Sequence, residues 1–181
     1  VDALVARFDE ASANGRASLI ALLGQHGGPR AFATVRSGLK DNDAAVVDAA
    51  VRSLADFPDA LSTTVLLDLA KNAEKATHKI LALRGYIRMI GLSRISTGER
   101  VEMCRTAMSL AERVPEKQMI LSAAAKIPDK QAILFVESFV KDAQLQAEAT
   151  AARTEIEQLL KTVAFINDAG RLTPANARII G

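Results

Sequence analysis

Leu54-Ala55-Asp56-Phe57-Pro58-Asp59 and Ala124-Ala125-Lys126-Ile127-Pro128-Asp129 match in character, 70 positions apart. Proline pushes the residue before it out of the helical region, so Phe57 and Ile127 each end a helix. The aspartate that follows offers a carboxylate to the free N–H groups of the next helix. Beyond the turn the match runs on. Val65 falls on Phe135, Leu66 on Val136, Leu69 on Phe139, Lys71 on Lys141 and Asn72 on Asp142. Seventy is two periods of 35. Between the two copies, Val47, Ala50, Val51 and Leu54 shift by 36 onto Leu83, Tyr86, Ile87 and Ile90, and Leu39-Lys40-Asp41 lies 31 before Ala70-Lys71-Asn72. The unit is a helix–turn–helix of about 31–36 residues, repeated about four times. Such a period marks a solenoid. One helical pair cannot bury its apolar face alone, whereas stacked pairs share a continuous core. The expected fold is all-α, an α-α superhelix of about four to five helical hairpins. Its rival is a bundle whose prolines recur by accident.

Helix-period patterning covers nearly the whole chain. Val47, Ala50, Val51, Leu54 and Phe57 form one stripe, and Ala132, Ile133, Val136 and Val140 another, broadened by Phe135 and Phe139. The spacing predicts helices near 2–13, 16–26, 29–39, 44–57, 59–71, 75–92, 98–113, 116–127, 130–141 and 144–164, and no strand. Gly27-Gly28-Pro29 breaks the chain. Asp43 is placed to cap one helix, Ser96-Thr97-Gly98-Glu99 has capping-box spacing, and Pro115 suits a first turn. Residues 1–164 are expected to form the repeat domain. Residues 165–181 are expected to be a tail, partly docked through Phe165 and Ile166 or leading to a following domain. Ile179 and Ile180 are its other apolar residues, and Thr173-Pro174 can start a short last helix.

Composition narrows the function classes. Of 181 residues, 49% are apolar and 4% aromatic, with no Trp, which suits closely packed small helices more than a β-sandwich. The net charge of +2, from 23 basic and 21 acidic residues, gives no strongly basic footprint for nucleic acid. The single cysteine, Cys104, excludes an internal disulfide framework. No apolar run is long enough to span a bilayer, so no membrane insertion is expected. The chain opens on Val1 with helical patterning already present, as in a piece of a longer protein.

These residues resemble a known family. Asp43 through Leu54, an acidic cap followed by a Val- and Ala-rich stripe with Arg52 near its end, resembles the first helix of a HEAT repeat. Phe57-Pro58-Asp59 is similar to that family's inter-helix turn, and Val65 to Ala70 to its second helix. Lys79 through Leu92 is similar to a helix of HEAT-like regions in exported bacterial multidomain proteins. The resemblance covers roughly residues 15–163, and the longer turn through Ser93–Gly98 departs from it. It implies a non-catalytic interaction, spacer or scaffold domain of a larger bacterial protein, holding a protein or neighbouring domain on a concave face. An extracytoplasmic location follows from the resemblance alone. The alternative it offers is a nucleic-acid-binding domain like the HEAT-type alkylpurine DNA glycosylases, which the missing Trp and low net charge disfavour.

Individual residues support no catalytic, cofactor or metal site. Metal-ligand spacings, glycine-rich phosphate loops and calcium loops are missing from the sequence. Cys104 lies on the stripe Val101, Cys104, Met108, Ala111 and reads as a buried hydrophobe. His26 at a helix end and His78 in a first turn read as solvated or structural. Tyr86 reads as core with its hydroxyl at the rim. Asp48, Arg52, Arg84 and Arg88 are expected to join repeats, Asp48 pairing locally with Arg52 and each Arg fork meeting a carboxylate or helix-end carbonyls of the next repeat. The second helix of each pair would carry the partner face. Its candidates are Arg36, Asp68, Arg105, Lys130 and Glu137, with Glu102 beside them. Their mixed charge fits a protein or adjacent domain, and no small-molecule substrate is expected.

Overall fold

The structure, a computed structural model, describes residues 1–171, with side chains as far as Ile166. Among the described residues there are ten α-helices and no strand. In chain order they are α1 (Asp2–Ala6), α2 (Ala13–His26), α3 (Pro29–Ser37), α4 (Ala44–Ala55), α5 (Thr63–Asn72), α6 (Ala76–Leu92), α7 (Thr97–Leu110), α8 (Val114–Ala124), α9 (Lys130–Glu137) and α10 (Gln146–Arg171). Two compact units emerge: Val1–Arg94 with Thr106–Glu112, and Ile95–Arg105 with the chain from Arg113 onward.

The sequence punctuation places most helix ends. Asp43 accepts from the Ala45 N–H at 2.8 Å and starts α4. Ser96 and Glu99 form a reciprocal capping box: the Glu99 N–H donates to Ser96 Oγ at 3.2 Å, and the Ser96 N–H to Glu99 Oε2 at 2.9 Å. Gly27 and Gly28 both have positive φ, +74° and +86°, which breaks α2 from α3. Several boundaries differ from expectation: α7, α8 and α9 end at Leu110, Ala124 and Glu137, three or four residues earlier than expected. The first predicted helix stops at Ala6, because Ser12 caps a new one by accepting from the Gly15 N–H. The segment after Asp59 makes a 3₁₀ turn, Ala60–Ser62, before α5 begins. The last helix runs past 164 to Arg171.

In the first unit α4 packs against α2 and α6, α3 lies on α2, and α5 lies on α6. Ile20, Leu23, Val51, Leu54, Phe57, Leu66, Met89 and Ile90 fill the interior, all fully buried. Each such side chain contributes about 1.5–3 kcal/mol relative to an exposed one. The contact between α4 and α6 is close. A Cβ on Gly85 would stand 2.7 Å from the Cα of Ala55, so the position admits only glycine without backbone movement.

In the second unit α8 and α9 both pack on α10. Ile120, Leu121, Ile127, Val136, Leu145, Ala149 and Ile156 are buried there. The 70-residue offset holds at the level of elements. α4 begins at Ala44 and α8 at Val114; α6 begins at Ala76 and α10 at Gln146. Phe57 and Ile127 are both 0% exposed, each at the end of its first helix.

The tail departs from expectation. Phe165 and Ile166 are 74% and 61% exposed, not packed against the preceding pair. Both lie within α10, which continues to Arg171. The helix expected at Thr173-Pro174 and the docking of Ile179 and Ile180 lie outside the described residues.

Candidate functional site

The repeated aspartates do two tasks at once. Asp59 Oδ1 accepts from the Leu61 N–H at 3.0 Å, capping its own turn, while Oδ2 accepts from the Gly28 N–H at 3.1 Å, 31 residues back. Asp129 does the same in the second unit. Its Oδ1 accepts from the Gln131 N–H at 2.8 Å and its Oδ2 from the Thr97 hydroxyl at 2.6 Å, 32 residues back. The Thr97 hydroxyl, and after it the Gln131 N–H, hold the Asp129 carboxyl below the usual carboxylate range. A single carboxylate thus satisfies a helix start and ties it to the preceding hairpin.

Arg88 closes the other side of the Phe57 turn. Its Nε and Nη2 donate to the Ala55 carbonyl at 3.2 and 2.8 Å, and Nη2 donates to the Phe57 carbonyl at 2.5 Å. These acceptors stand at the end of α4, where carbonyls lack intrahelical partners and the helix dipole favours a cation. The fork reaches back to the preceding hairpin, whereas the sequence suggested the next one. Gly85, one turn earlier on α6, is what brings the backbones near enough for this reach.

Asp48 has a different partner from the one its spacing suggested. It accepts from Lys75 Nζ at 3.0 Å, and its Oδ1 lies 2.6 Å from His78 Nε2. Lys75 and His78 hold its carboxyl below the usual range. The expected local pair with Arg52 is therefore replaced by a clasp between α4 and α6, and Arg52 is exposed, as is Arg84. His78 is buried, not solvated; its ring is drawn in by Asp48, 30 residues away. Seventy residues on, Gln118 Nε2 donates to Glu148 Oε1 at 2.8 Å, the same clasp in uncharged-to-charged form.

The candidate partner residues fall on second helices: Arg36 on α3 and Asp68 on α5 in the first unit, Arg105 on α7 and Lys130 and Glu137 on α9 in the second. All five are exposed. Asp68 accepts from Asn72 Nδ2 at 2.8 Å. Arg105 pairs with Glu102 at 3.2 Å and its guanidinium lies 5.7 Å from the centre of the Phe135 ring. Such a cation–π contact is worth about 0.5–1 kcal/mol at an exposed site. Glu137 faces Arg153 of α10 at 3.8 Å. The structure thus gathers Arg105 with Glu102 and Phe135, and Glu137 with Arg153, each as a small group.

Cys104 is buried, and burial pushes its thiol up to about 12, so it is no thiolate nucleophile. Tyr86 is buried and His26 exposed. Among the described residues no three His, Cys, Asp or Glu side chains gather as a metal site, and no helix is long and apolar enough to cross a membrane. Two buried or bridging groups escape a sequence pattern. Arg16 donates to both Asp41 oxygens, at 2.7 and 2.9 Å, across 25 residues. Glu116 is buried in the first turn of α8, 3.7 Å from Arg113.

A protein-family model of HEAT repeats matches residues 1–85. No curated protein and no solved structure matches the chain. The family match ends within α6, and the 70-residue offset shows the pattern of α4 to α6 again in α8 to α10. Residues 1–85 thus match HEAT repeats, and the all-helical hairpins of the described residues are consistent with HEAT-like repeats.

Proposed function

We propose that this chain is a non-catalytic interaction or spacer domain of a larger bacterial protein, holding a protein partner or neighbouring domain on its second helices. One observation carries this reading. The polar groups between repeats are occupied with holding helices together, while Arg36, Asp68, Arg105, Lys130 and Glu137 stand exposed on α3, α5, α7 and α9. Asp59, Asp129 and Arg88 spend their hydrogen bonds on backbone and hydroxyl partners within their own unit. The thiol of Cys104 is too basic and too deep to act as a nucleophile. Mixed charge on the second helices favours a protein partner over a polyanion such as nucleic acid. An extracytoplasmic location rests on the family resemblance.

Site-specific photo-crosslinking in the native host tests this. A photoreactive residue placed at Arg36, Asp68 or Lys130 should trap one discrete partner or a neighbouring domain, whereas one at Arg52 on α4 should not. Equal trapping from first and second helices would overturn the assignment of the face. Turnover of a small molecule by the isolated chain would overturn the non-catalytic reading.

A further inference from the structure

We draw no further inference here: the strongest candidate, the apolar surface patch that Val163, Phe165 and Ile166 expose on α10, carries nothing because nothing in the structure shows what covers it.

Discussion

The chain from α4 through α6 and the chain from α8 through α10 are one pattern written twice, and they are locked differently. Both bury an apolar residue before Pro-Asp, and both use the aspartate as a two-ended tie. The first adds Arg88 on the end of α4 and Gly85 against its backbone. The second has Gln158 and Glu155 at those positions. Shared features are those the hairpin needs to form at all: a helix stop, a cap and a core residue. The differing features set how closely the third helix lies on the first. A helical repeat thus tolerates change in its locks as long as its turns stay intact.

The largest effects should come from the shared turn residues. Phe57→Ala should cost about 3–5 kcal/mol and Ile127→Ala about 2–5 kcal/mol, since both leave a cavity in a dry core. Denaturant melts check this, and near-silent variants would mean the turns are not equivalent. Next comes the glycine. Gly85→Val must push its side chain into the Ala55 backbone and should cost about 1–3 kcal/mol. Glu155→Val, at the exposed matching position of α10, should stay within about 0.5 kcal/mol. If the two substitutions cost the same, the distinction between the two locks fails.

Arg88→Ala should cost about 1–2 kcal/mol through lost packing and carbonyls left unsatisfied. Gln158→Ala should be close to neutral. A smaller effect depends on pH. The folded Asp129 carboxyl titrates below its unfolded value, so its contribution is present above the unfolded value and is lost as pH falls through the folded one. Below about pH 4 the wild type should lose stability more steeply than Asp129→Asn. Parallel acid-denaturation curves for the two would contradict the tie.

The turns were readable in sequence because they are local. Phe57-Pro58-Asp59 and Asp43 announce a helix stop and a cap within a few residues, and steric and hydrogen-bonding rules act at that range. The Asp48 clasp was not readable, because Lys75 and His78 lie 27 and 30 residues away, while Arg52 sits at a plausible local spacing. A local pair and a distant one look alike in sequence until packing decides which side chain is nearer. Of the two readings open for His78, solvated or structural, the structural one holds: a first-turn position favours exposure, and the contact with Asp48 of α4 accompanies its burial. The bidentate Arg16–Asp41 pair spans a helix break that no periodicity crosses. The exposure of Phe165 and Ile166 follows from α10 running on past the helices it packs against, which depends on where α8 and α9 end.

The central claim is that the aspartate of each Pro-Asp turn, Asp59 and Asp129, ties its helix start to the preceding hairpin, and native-state hydrogen exchange tests it most directly. In Asp59→Ala, the Gly28 and Leu61 amides should both lose protection, because both donate to that carboxylate. In Asp129→Ala, the Gln131 amide should lose protection in the same way. A Gly28 amide that exchanges in Asp59→Ala as slowly as in the wild type would contradict the account.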